Sequence, residues 1–284
     1  MHPALAALLL GATFIALSPI FVRVSEAGPT ATAFWRVAIA VPVLWLFYWK
    51  SRKTTRRYAG KWPLLVAAGF AFAGDLAFWH ASIQRTSVAN STLLANLASI
   101  FVTLAAWTFL RQRPRALFLA GLVAALAGVA LLVQSSLRFS STGLLGDAFG
   151  VVTAMFYAGY ILAVKGLRDR GETTLHLMAV TSTITAIFLL PAALASGDAM
   201  LPASAFGWAM LVGLALISHA AGQGLIAYAL AHLPAAFSSV SLLFQPVMAA
   251  LFAWALLAEA LVPLQVAGGL IVLAGIYLAR RGSA

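Results

Sequence analysis

The segment AGDLAFWHA, residues 73–81, holds a carboxylate, an indole and an imidazole inside an otherwise apolar run. The 284-residue chain has only seven acidic residues, so a carboxylate at Asp75 calls for a reason. Two other apolar runs carry ionisable groups, Arg36 in FWRVAIA and His219 in SHAAGQG. Such groups are costly in an apolar segment and commonly face a cavity or a partner.

Helical geometry sorts these residues into faces. At about 100° per residue, Ala68, Ala71, Phe72, Trp79 and Ser82 fall within about 60° of Asp75, whereas His80 lies about 140° away. Asp75 and Trp79 are therefore expected on one face, with His80 bonded to a neighbouring helix. His219 and Gln223 share a side at i and i+4. Further polar stripes follow the same period: Thr92, Asn96, Ser99 and Thr103; Ser238, Ser241, Gln245, Met248 and Phe252; and Thr153, Tyr157 and Tyr160. Mixed hydroxyls, amides and aromatics suit a small amphipathic ligand. Single Ser, Thr, Asn or Gln residues on membrane helices also simply bond their neighbours. The expected ligand-binding set is Asp75, Trp79, Asn96, Ser99, Tyr157, Tyr160, His219, Gln223, Ser241 and Gln245. Arg36, Asp75 and His219 are the gating or coupling candidates. Paired with Arg36 at similar depth, Asp75 would brace or gate; unpaired, it would be a proton-coupling candidate. Arg36 could instead reach outward, since only about 9 Å separates it from the interface.

The elements that must position these residues are membrane helices. The chain is 63% hydrophobic and 9% charged, and a span needs about 20 largely apolar residues. Ten such runs occur, near 3–23, 31–49, 62–84, 88–110, 116–136, 146–166, 174–195, 205–231, 235–257 and 263–280; they are numbered spans 1 to 10. The first lacks a basic leader region and continues past the small residues near Ala16, so it reads as a retained span. Fourteen of the eighteen Lys and Arg residues follow spans 2, 4, 6 and 10, among them Lys50, Arg52, Lys53, Arg56, Arg57 and Lys61. The bias places both termini in the cytoplasm. Trp35, Trp45, Trp49 and Trp62 lie near span ends and read as interfacial anchors. The Gly and Ala of GLVAALAG read as a close helix contact.

The net charge of +11 is explained by this clustering, and nucleic-acid binding is not expected. There is no cysteine, and the five histidines (His2, His80, His176, His219 and His232) are scattered without an HxxxH or HExxH spacing. No GxSxG occurs either. Neither a metal site, a cofactor nor an enzyme is therefore expected. A channel would want charged rings or a carbonyl filter, and neither is visible.

The two halves resemble each other. AGDLAFWHA (73–81) aligns with AGQGLIAYA (221–229) at an offset of 148, and SIFVTLAAWTFL (99–110) with PVMAALFAWALL (246–257) at 147. Two ordered matches at nearly one offset indicate a duplication. With five spans per unit, 1–137 and 138–284, the second copy enters the membrane inverted.

The segments ASIQRTSVANSTLLANLASIFVTLAAWTFL (81–110) and YALAHLPAAFSSVSLLFQPVMAALFAWALLAEALVPLQVAGGLIVLAGIYL (228–278) resemble the core of the EamA domain of the drug/metabolite transporter superfamily. Arg36 matches the arginine common in that family's second helix. The first unit departs from the pattern with Ser99 in place of Pro and Gln112 in place of Glu; the second keeps Pro246 and Glu259. The resemblance implies a ten-helix, all-α membrane protein of two inverted EamA repeats, lying in the bacterial inner membrane as a monomer, with a dimer open. It also implies a secondary transporter exporting small metabolites, amino acids including aromatic ones, by alternating access. Export of drugs, organic cations or other metabolites is the alternative on the same fold.

Overall fold

A computed structural model of the chain describes residues 3–51, 61–86, 88–109, 111–134, 143–258 and 260–283. Arg52, Lys53, Arg56, Arg57, Arg138, Glu259 and His2 lie outside the described residues, as does the expected boundary at 137/138. Among the described residues the structure is helical, with ten helices long and apolar enough to cross a membrane. They run Pro3–Val24, Pro29–Ser51, Trp62–Ile83, Asn90–Thr108, Ala116–Val133, Leu144–Asp169, Thr174–Ala195, Ala205–Ala229, Ala235–Leu256 and Pro263–Gly282.

The chain is a multi-pass membrane protein, and its surface agrees with that reading. Phe47, Phe70, Val123, Met155, Ile187, Leu194 and Leu270 are exposed, whereas Thr32, Arg36, Ser99, Thr181, Ser218, His219 and Ser241 are buried. Lipid accepts apolar side chains and leaves backbone polar groups to be satisfied within each helix.

Five spans are interrupted, span 2 at Ile39 ahead of Pro42, and the breaks in spans 1, 4 and 9 have local causes of their own. Span 1 breaks at Leu17, just before Ser18-Pro19. Pro19 has no N–H to donate to the carbonyl of Ile15, four residues back. Span 9 breaks between Ser241 and Phe244, where Pro246 leaves the Leu242 carbonyl to accept from Gln245 N at 2.9 Å instead. Span 4 breaks between Ala95 and Ala98 although Ser99 stands where the family has Pro. Here the Asn96 side-chain amide donates to the Thr92 carbonyl at 2.8 Å, and three-residue turns carry the backbone across. In span 8 the backbone widens to i→i+5 bonding over Leu214–Gln223. The breaks in spans 4 and 9 stand about 147 residues apart. So do Arg111 and Ala258, the two described non-glycine residues with positive φ, both at 55°.

Spans 5 and 10 meet backbone to backbone. A Cβ at Gly121 would lie 2.4 Å from Ala279 N, and one at Gly128 2.7 Å from Gly268 O. Only glycine allows that approach. Spans 3 and 6 pack through Phe78 on Phe156, with ring centroids 5.5 Å apart.

Polar turns tie the two halves together at both ends of the bundle. At one end, Thr30 N, in the first turn of span 2, donates to Asp198 at 2.8 Å. Ser204, which precedes span 8, donates from its N–H and hydroxyl to Glu26. Those two bonds hold the Glu26 carboxyl below its ordinary range. At the other end, the end with most of the basic residues, Glu172 is buried between spans 6 and 7. It meets His176 at 2.9 Å and Lys61 at 3.3 Å. Burial pushes the Glu172 carboxyl up, but the His176 hydrogen bond, the His176 and Lys61 charges and the Thr173 N–H outweigh it and hold it low. Arg168 donates to the Glu172 carbonyl.

Two of the four expected anchor tryptophans have protein partners. Trp35 donates to Met200 O at 2.7 Å and Trp45 to Thr183 at 3.1 Å. Trp49 and Trp62 are exposed near span ends.

Candidate functional site

The breaks in spans 1, 4 and 9 open a cavity of about 150 Å³ between spans 1, 2, 3, 4, 6, 8 and 9. Its lining residues lie around the middle of the bundle and extend toward the end remote from the basic residues. Span 1 contributes Ile15, Ala16, Ser18 and Pro19; span 2 contributes Arg36; span 3 contributes Phe72, Asp75, Leu76 and Trp79. Thr92, Ala95 and Asn96 come from span 4, Tyr157 from span 6, Gln223 from span 8, and Gln245, Pro246 and Ala249 from span 9. The volume falls below the roughly 300–1,000 Å³ of pockets for drug-sized ligands, a scale for a small metabolite.

Unpartnered polar groups converge on this cavity. Ser18 Oγ, Arg36 Nε, Gln223 Oε1 and Gln245 Nε2 are buried without a hydrogen-bond partner. Buried polar groups are nearly always satisfied, so four orphaned atoms lining one space mark where a ligand or water would bond. Gln223 and Gln245 flank the Tyr157 hydroxyl. Arg36 and Asp75 both line the cavity, and no ion pair joins them among the described residues. The Arg36 guanidinium instead stands 6.0 Å over the Phe72 ring. At 6% exposure it does not reach outward either; the cavity holds it. One wall thus offers a guanidinium and another a carboxyl group, with Phe72, Trp79 and Tyr157 supplying apolar area.

Of the residues expected from the sequence, Arg36, Asp75, Trp79, Asn96, Tyr157, Gln223 and Gln245 come together here. Four others do not. His219 is covered by Phe72, which stacks on the imidazole at 5.4 Å, and its Nε2 meets Ser182 Oγ at 2.8 Å. Tyr160 is buried against Phe72 at 4.7 Å. Ser99 and Ser241 donate to carbonyls of their own helices, Asn96 O at 3.0 Å and Phe237 O at 2.9 Å. Both sit deeper, where spans 4 and 9 close on each other. His80, expected to bond a neighbouring helix, instead meets Leu76 O of its own helix through Nδ1 at 2.7 Å.

Ser18, Pro19 and Phe72 are wall residues absent from the expected set. Ser-Pro within span 1 was the available signal, because a proline inside an apolar helix breaks it and frees polar backbone. Phe72 shares the Asp75 face by helical angle but is indistinguishable in sequence from an ordinary packing residue.

Comparisons with known proteins agree with this architecture. The pattern described as "EamA-like transporter family" matches residues 2–134 and 144–281. The chain is 30% identical to an uncharacterized transporter of Archaeoglobus fulgidus, over 91% of each protein. It is 29% identical to a pseudopaline exporter of Pseudomonas aeruginosa, over 97% of this chain and 95% of that one. A "probable terminal-alkyne amino-acid exporter" of Streptantibioticus cattleyicolor is 31% identical over 68% of this chain and 64% of that one. A solved crystal structure superposes with a TM-score of 0.82 over 99% of this chain and 98% of that one; at 16% identity it speaks to the fold alone.

Proposed function

The chain belongs to the EamA-like transporter family, and from that premise we propose that it exports small amphipathic metabolites, amino acids including aromatic ones, across the bacterial inner membrane. The observation that carries the reading is the cavity. It combines an unpaired guanidinium, Arg36, an unpaired carboxylate, Asp75, and an aromatic wall in one small space. A zwitterion would place its carboxylate by Arg36, its ammonium by Asp75 and its side chain against Phe72, Trp79 and Tyr157. Charge-assisted hydrogen bonds and cation–π contact are the strong interactions available there. Asn96, Gln223 and Gln245 would fix orientation. Two relatives bear exporter names, one of them for an amino acid, which supports export as the direction.

Transport would proceed by alternating access of two inverted five-span units, 1–137 and 138–284, with both termini cytoplasmic. The matched breaks of spans 4 and 9 and the matched positive-φ residues Arg111 and Ala258 support the duplication. With both termini cytoplasmic, the cavity would lie at and outward of the membrane middle, above the seam where spans 4 and 9 pack together. That arrangement corresponds to an outward-facing state. Opening to the cytoplasm would part this seam, with Asp75 and Arg36 as the gating or coupling pair. His219 would act only through Phe72. The protein would work as a monomer.

The test is a flux screen in proteoliposomes over amino acids, organic cations and other small metabolites, comparing wild type with Trp79→Ala. Selective transport of amino acids, cut at least about tenfold by the substitution, is expected. Flux of every substrate unaffected by the substitution would remove the cavity from the pathway. Preference for organic cations would reassign Asp75 as the principal ligand.

A further inference from the structure

A second cavity opens at the basic end of the bundle, separate from the one just described. Its volume is about 650 Å³, and it lies between the span 4–5 turn, the end of span 6, the span 8–9 turn and the end of span 10. Arg113, Arg115, Lys165, Asp169 and His232 line it, with Thr103 among the deeper residues. Among the described residues Asp169 is the one carboxylate lining it, and Lys165 holds it at 2.6 Å, so this pair cancels. Arg113 and Arg115 remain without an acidic partner among the described residues. The 18-residue helix of span 5 begins at Ala116, directly after Arg115. Its first-turn N–H groups and the positive end of its dipole lie at the same rim.

The bias of basic residues toward one membrane face requires arginines in this turn, but it does not require them to surround a cavity. Arg113, Arg115 and His232 line one space beside a helix N-terminus, and such donors suit a planar or tetrahedral oxyanion, which arginine binds through paired N–H groups. The turn that presents them is shaped by Arg111, whose φ of 55° reverses the chain, and by Gln112 N donating to Ala106 O at 3.0 Å. These two features direct residues 113–115 back over the bundle end.

We propose that this second cavity is an oxyanion site, taking the phosphate or carboxylate group of a metabolite or of an anionic lipid headgroup through Arg113 and Arg115. The site is distinct from the Arg36–Asp75 cavity and does not depend on what that cavity carries.

The test uses purified full-length protein and two probes. Equilibrium dialysis measures inorganic phosphate on detergent-solubilised protein, and native mass spectrometry measures retained phosphatidylglycerol. Arg113→Gln/Arg115→Gln is compared with wild type, with Arg113→Lys/Arg115→Lys, and with Lys50→Gln, a basic residue outside the cavity. Saturable binding of either probe is expected. It should weaken at least about tenfold in the double Gln variant, fall less in the Lys variant, and stay unchanged in Lys50→Gln. Raising salt from about 0.01 to about 1 M should also weaken it, as the Debye length falls from about 30 to about 3 Å. Phosphate bound without lipid identifies a free solute as the source; lipid retained without phosphate identifies a headgroup. No saturable binding of either probe, or equal binding in the double Gln variant, overturns the proposal. A matching melting temperature of that variant shows that a loss is not misfolding. Because the readout is binding and not flux, failure here leaves the transport reading untouched, and the reverse also holds.

Discussion

Replacing Gly275 by Ala should loosen the contact between spans 5 and 10. The added Cβ would sit 2.5 Å from Ala125 N, 2.7 Å from Gly121 O and 2.8 Å from Ala125 Cα, all backbone atoms that cannot swing aside. Ordinary contact begins at 3.4 Å, so the two helices must part by about 0.9 Å, the difference from 2.5 Å. A gap of about 0.5–1 Å forfeits about a quarter to a half of the dispersion attraction along the seam. Overpacking of this kind costs about 1–3 kcal/mol, and the better helix propensity of Ala returns about 0.5–1 kcal/mol. A net loss of about 1–2 kcal/mol is expected, visible as a melting temperature several degrees lower by tryptophan fluorescence of the purified protein. Gly159→Ala is the control, because its Cβ would meet only Ala71 Cβ at 3.8 Å. Both positions are helical; Gly275 is buried against span 5, whereas Gly159 is exposed. Equal melting of the two variants would refute the claim that backbone proximity makes glycine necessary at 275.

Three further substitutions probe the cavity and the basic end. Asp75→Asn should lower kcat/KM for a zwitterionic substrate at least about tenfold while sparing a des-amino analogue; equal losses for both would detach Asp75 from the ammonium group. His219→Ala should lower thermal stability by about 2–4 kcal/mol, through the stacking surface lost beneath Phe72 and the unmet Ser182 hydroxyl, with a smaller effect on KM than Tyr157→Ala. A KM change exceeding that of Tyr157→Ala would restore His219 to the cavity wall. Glu172→Gln should cost about 1–3 kcal/mol at neutral pH by weakening the contacts to His176 and Lys61. The native carboxyl is held below its ordinary 4.5, so its stabilisation is present above that value and is lost as pH falls through the lower native value. The variant should therefore show a flatter acid limb in a melting-versus-pH series, and parallel acid limbs would contradict this assignment.

Much of this protein was legible in its residues alone, for reasons of solvent. Lipid demands about 20 apolar residues per helix, so the ten spans stand out without any tertiary information. The facing of Asp75 and Trp79 needs only the helical repeat, and both line the cavity. The glycines of GLVAALAG announce a close contact because little else explains small residues in a lipid-facing helix. What periodicity could not reach was which polar stripe faces a void and which faces another helix. Ser99 and Asn96 lie three residues apart on one stripe, yet Asn96 borders the cavity while the Ser99 hydroxyl bonds back to Asn96 O. His219 shares a side with Gln223, but a ring from span 3 covers it. Arg36 offered two sequence-level fates, a salt bridge or a reach to the interface, and the fold supplied a third by surrounding it with span 3 and an open space. The identity of each side chain sets what it can bond. Only the packing of seven spans around one small volume decides which of those bonds stay unmade and available to a ligand.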